Sequence, residues 1–183
     1  KFDSGRKHTE IERLKAAVGR KLNSMVRLNR TRMDYLERFQ RMIDEYNNGS
    51  VNIEEFFRQL SDFTQSLSEE EHRAISERLS EEELAIYDLL TKPAMDLTEK
   101  ERAQVKKAAR GLLSKLKAEK LTLDWRKRQQ SRAQVKVAIE TVLDEELPEA
   151  FGPEIYQTKT EALFQHVYDS YYGAGSGVYA VAE

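Results

Sequence analysis

The 183-residue chain contains no cysteine. Disulfides, thiolate metal sites and cysteine nucleophiles are therefore excluded, and a reducing compartment is compatible with the composition. Prolines number three and glycines eight, so little interrupts helices. There is a single tryptophan, Trp125. No apolar run approaches the roughly 18 residues of a membrane span, which sets membrane insertion aside, and no signal peptide is visible. The chain begins at Lys1 rather than Met, which points to a fragment of something longer.

Charge is abundant. Charged residues make up 34% of the chain and hydrophobic residues 39%, which leaves enough apolar side chains for the core of one domain or two small ones. The net charge of −2 says little about partners, but its distribution says more. Residues 1–48 carry +5, residues 66–99 carry −7, residues 100–136 carry +10 and residues 137–183 carry −8. Such blocks either neutralise one another within the fold or face partners.

The apolar spacing is helical almost throughout. Ile11, Leu14, Val18, Leu22 and Met25 mark a first helix. Leu36, Phe39, Ile43 and Tyr46 mark a second, with Thr31 as N-cap and Gly49 as its stop. Asn52 and Glu55 cap a third. Ser68 with Glu71, Ser80 with Glu83 and Thr98 with Glu101 each fit a capping box; the first predicts a separate short helix ending near Leu79. Pro93 predicts a loop over Thr91–Leu97. A basic helix is expected to follow Trp125, and Pro153 suits the first position of a last helix running through Tyr168, Tyr171 and Tyr172. Phe39, Phe56, Phe57, Phe63 and Phe164 are expected in the core. The fold class is all-α: an irregular bundle of about seven or eight helices over residues 1–172. It forms a single domain or two sub-bundles hinged near 91–97, and residues 173–183 are expected as a flexible tail.

Catalytic motifs are lacking. There is no Gly-x-x-x-x-Gly-Lys-[Ser/Thr] loop and no Gly-x-Gly-x-x-Gly. No lysine has a glutamate two positions before it, as metal-dependent nuclease motifs commonly require. His8, His72 and His166 are far apart in sequence. Glu69 and His72 form one Glu-x-x-His, whereas a di-metal bundle site needs two such motifs and two further glutamates. The glutamates at 81–83 suit the first turn of a helix, where its dipole favours them. No catalytic, cofactor-binding or metal-binding residue is assigned.

One element stands out. Trp125 is followed directly by Arg126, Lys127 and Arg128, and then by Arg132 and Lys136. Either Trp125 plugs the core and the cations pair with the acidic 66–99 block, or the basic face contacts phosphate or an acidic protein surface. On a helix, Arg128, Arg132 and Lys136 share a face. Tyr168, Tyr171 and Tyr172 form a second candidate patch, divided between core edge and interface.

The run Leu121-Thr-Leu-Asp-Trp-Arg-Lys-Arg-Gln-Gln-Ser-Arg-Ala-Gln-Val-Lys136 resembles the C-terminal helical region of the restriction (R) subunit of type I restriction–modification enzymes. So do Met25-Val-Arg-Leu-Asn-Arg-Thr-Arg-Met-Asp-Tyr-Leu-Glu-Arg-Phe-Gln40 and His166-Val-Tyr-Asp-Ser-Tyr-Tyr-Gly173. The resemblance spans about residues 11–173. It implies a non-catalytic helical part of an ATP-dependent, DNA-translocating and DNA-cleaving complex in a prokaryotic cytoplasm. It also implies docking to the modification and specificity subunits of the methyltransferase core, while ATP and magnesium bind elsewhere in the intact subunit. No small-molecule substrate is expected for this part. A helical DNA-binding module using the basic 100–136 region is the alternative. The interface candidates are Trp125, Arg126, Lys127, Arg128, Arg132, Lys136, Tyr168, Tyr171 and Tyr172.

Overall fold

The computed structural model describes the backbone of residues 2–181 and the side chains of residues 7–180. The chain divides into two compact units, Lys1–Arg78 and Leu79–Glu183. The boundary follows Arg78, whereas the Thr91–Leu97 loop lies inside the second unit. Seven α-helices and one two-stranded hairpin form the described residues.

The first unit is a three-helix assembly of α1 (Phe2–Leu28), α2 (Met33–Asn47) and α3 (Ile53–Ser76). Its core joins Ile11, Val18 and Leu22 of α1 with Phe39 and Met42 of α2 and Phe56, Leu60, Phe63 and Leu67 of α3. Each fully buried side chain of this size stabilises the fold by about 1.5–3 kcal/mol. Phe57 is exposed instead. Consecutive helical positions point about 100° apart, so only Phe56 of the adjacent pair faces inward. Asn52 caps α3 by accepting from Glu55 N at 2.9 Å, as expected. Ser68 does not begin a helix: it lies inside α3, because the apolar face continues unbroken from Phe63 through Leu67 to Ala74. Nor does Thr31 cap α2. Asn29 accepts from Thr31 N at 3.1 Å and caps a short 3-10 turn over Arg30–Arg32. Arg32 then buries its guanidinium against Glu70 at 2.9 Å, and Glu70 also holds Arg73 at 2.8 Å.

The second unit contains α4 (Glu81–Thr91), α5 (Glu99–Lys115), α6 (Gln129–Glu146) and α7 (Pro153–Ser170). The capping boxes at Ser80–Glu83 and Thr98–Glu101 are both formed, and Pro153 occupies the first turn of α7. Leu84, Leu90, Val105, Leu112, Leu116, Trp125, Val135, Ile139, Leu163 and Val167 are all buried. A π-helical turn, Leu116–Lys120, ends α5.

The helix α7 stops at Ser170, before Tyr171 and Tyr172. Those residues belong to strand β1 (Tyr171–Gly173), which pairs antiparallel with β2 (Ser176–Gly177) and is followed by a 3-10 turn, Tyr179–Val181. Most of the stretch expected as a flexible tail is therefore a folded hairpin, because its backbone amides find acceptors elsewhere in the unit. Ala174 N donates to Leu121 O at 3.0 Å and Val178 N to Ser170 O at 2.9 Å. Ala182 and Glu183, the end of that expected tail, lie outside the described residues.

Candidate docking surface

The loop between α5 and α6 is fixed from beneath. Trp125 N donates to Thr122 O at 3.2 Å and Lys127 N to Asp124 O at 2.9 Å. Asp124 takes a left-handed backbone at φ 59°, which a short polar side chain tolerates better than most. Trp125 is completely buried. Its indole N–H donates to Tyr171 O at 3.1 Å, and its ring meets Tyr168 edge-on with centroids 5.9 Å apart. The basic helix expected to follow Trp125 begins at Gln129, after a turn held by the Trp125 N and Lys127 N hydrogen bonds.

Glycine makes this close packing feasible. A Cβ on Gly173 would lie 2.4 Å from Thr122 O and 3.2 Å from Trp125 Cδ1; one on Gly177 would lie 2.4 Å from Ser170 O. Tyr171 is buried as well, and its hydroxyl donates to Glu82 at 2.7 Å. Glu82 also accepts from Lys117 at 2.7 Å. Burial, reinforced by Tyr179 and Glu82, raises the Tyr171 hydroxyl above the usual tyrosine range. Trp125 and Tyr171 therefore support the surface from inside and are not contact residues, a correction to their place among the interface candidates.

Other candidates remain outward. The Arg126 guanidinium carbon lies 4.7 Å from the centre of the Tyr168 ring and 5.1 Å from that of Tyr172. Tyr172 is 43% exposed and Leu123 71% exposed. Arg126, Asp124, Lys127, Tyr168 and Tyr172 line a concavity of about 290 Å³. Lys127 pairs with Asp124 at 2.8 Å, and that hydrogen bond holds the Asp124 carboxyl below its usual range. Arg128 is exposed.

The shared cationic face expected of Arg128, Arg132 and Lys136 is interrupted. Arg132 turns back to donate to Arg126 O at 2.7 Å, and Lys136 lies 3.8 Å from Glu161. Internal neutralisation is nonetheless partial. Lys117 pairs with Glu82, and Arg110 sits 3.9 Å from Glu83, while Arg126 and Arg128 have no carboxylate within ion-pair distance among the described residues. Leu123 and the two close-packed glycines escaped the sequence reading. The carbonyl that Gly173 accommodates, Thr122 O, lies far away in sequence.

Among the described residues no group of three or more His, Cys, Asp or Glu is placed to hold a metal ion. His72 is exposed, with Nδ1 2.7 Å from Ser68 O. Ser170 Oγ lies 3.4 Å from His166 Nδ1, but both side chains are buried, and a nucleophile–base pair needs access for its substrate. No helix among the described residues is long and apolar enough to cross a membrane.

A family model described as type I restriction enzyme HindI endonuclease subunit-like, C-terminal, matches residues 2–170. No curated protein and no solved structure matches the chain.

Proposed function

Because the chain belongs to the family of type I restriction enzyme endonuclease subunits, as their C-terminal domain, we propose that it is a non-catalytic docking domain. It joins the endonuclease subunit to the modification and specificity subunits of the methyltransferase core, in a complex that consumes ATP and cleaves DNA. The observation that carries this reading is the concavity of Arg126, Tyr168 and Tyr172, supported from beneath by Trp125, with the exposed Leu123 and Arg128 in the same loop. Neither Arg126 nor Arg128 has a carboxylate within ion-pair distance among the described residues, and Leu123 and Tyr172 are exposed. Arginine and tyrosine beside an exposed aliphatic group are the composition of protein interfaces. The test is co-sedimentation of the chain with the assembled methyltransferase core. A stable complex is expected; no complex at micromolar concentrations would contradict the proposal.

A second reading draws on Lys100 and Lys107, which are exposed seven residues apart on α5 without ion-pair partners among the described residues. These would serve a duplex contact. That reading requires DNA binding at low salt that weakens steeply as salt rises.

A further inference from the structure

We propose that Arg126 is the receptor for a carboxylate on the partner protein, an aspartate or glutamate flanked by an apolar side chain that packs on Tyr172. This rests on the docking reading above and assigns its contact chemistry. The Tyr168 and Tyr172 rings lie against the guanidinium at 4.7 and 5.1 Å. Both are cation–π distances, and the side chain has no hydrogen-bond acceptor among the described residues. Its planar fork of N–H donors therefore remains for a ligand, held in place before the ligand arrives. A carboxylate accepts from such a fork through two parallel hydrogen bonds.

The surroundings favour one protein carboxylate over a phosphodiester chain. Duplex binding neutralises several phosphates along a row of cations. Here that row is broken: Lys127 is paired with Asp124, Arg132 is turned inward to Arg126 O, and Lys136 lies beside Glu161. Tyr172, 43% exposed, supplies apolar contact beside Arg126, for which a phosphate backbone has no counterpart.

The experiment measures the affinity of the chain for the assembled methyltransferase core by calorimetry. It compares wild type with Arg126→Lys, Arg126→Ala, Tyr172→Ala and the distant control Lys107→Ala. Emission from the buried Trp125 verifies that each variant is folded. Both Arg126 variants are expected to weaken binding about tenfold or more, as central interface arginines do. Lysine keeps the charge but loses the fork. Tyr172→Ala should weaken it severalfold, and Lys107→Ala should change it less than about twofold. Wild-type affinity in Arg126→Lys would overturn the carboxylate assignment while leaving the docking reading intact. So would an equal loss in Lys107→Ala. If wild type itself fails to bind the core, the docking reading falls, and this assignment with it. Arg126-dependent binding of a duplex oligonucleotide, with none of the core, would replace both with a nucleic-acid contact.

Discussion

Three glycines in the C-terminal hairpin separate two physical effects that a single substitution would confuse. Gly175 has a positive φ of +79° and open space where a Cβ would stand. Replacing it with alanine tests backbone strain alone, about 1–2 kcal/mol. A Cβ on Gly177 would lie 2.4 Å from the Ser170 carbonyl oxygen, with no left-handed φ involved. Gly177→Ala tests overpacking alone, about 1–3 kcal/mol. Gly173 combines φ +107° with a Cβ position 2.4 Å from Thr122 O and 3.2 Å from Trp125 Cδ1. The two effects together come to about 2–5 kcal/mol, a large share of the ~5–15 kcal/mol that stabilises a typical domain. Urea unfolding followed by Trp125 emission reports on the second unit specifically, since that unit holds the only tryptophan. At about 1–3 kcal/mol per molar urea, the Gly173→Ala midpoint should fall by about 1 M or more. Its native emission should also shift to the red as the loop lifts from the hairpin. Gly173→Ala unfolding at the midpoint of Gly175→Ala would refute the claim that the hairpin clamps the Trp125 loop.

Other expectations concern the helices and charges. Ser80→Ala and Thr98→Ala should each lower stability by about 0.5–2 kcal/mol in denaturant melts, because each hydroxyl accepts from the third helical amide. Ser68→Ala, at an exposed position inside α3, should change it by less than about 0.5 kcal/mol. Glu70→Ala should cost about 3–5 kcal/mol by circular dichroism, since it removes the buried carboxylate that pairs with Arg32 and Arg73. Glu71→Ala, whose partner Lys21 is exposed, should cost about 0–1 kcal/mol. Hydrogen bonds from the Thr98 side chain and backbone hold the Glu101 carboxyl below its usual value. Its contribution is present above the unfolded carboxyl's pKa of about 4.3 and is lost as pH falls through the lower folded value. The stability gap between wild type and Glu101→Gln should therefore narrow in acid.

Helix existence and most helix starts were legible because their causes are local. Ser80 with Glu83, Thr98 with Glu101, Asn52 with Glu55 and Pro153 all act within a single turn. The Ser68–Glu71 signature misled because the same residues sit on a continuous amphipathic face, and burial of Leu67 and Ala74 outweighed a local cap. The hairpin was illegible for the opposite reason. Gly173 faces Thr122, and Trp125 bonds to Tyr171 forty-six residues away, so nothing near either residue in sequence indicates the contact. The candidate surface was half legible. Arg126 and Tyr172 could be named from composition and family resemblance. That Trp125 and Tyr171 would turn inward depended on partners in distant elements.

The most direct test of the docking account is amide hydrogen exchange on the chain, alone and bound to the assembled methyltransferase core. The account predicts added protection at residues 121–128 and 171–173 upon binding. Unchanged exchange there, with protection confined to other segments of a bound chain, would contradict it.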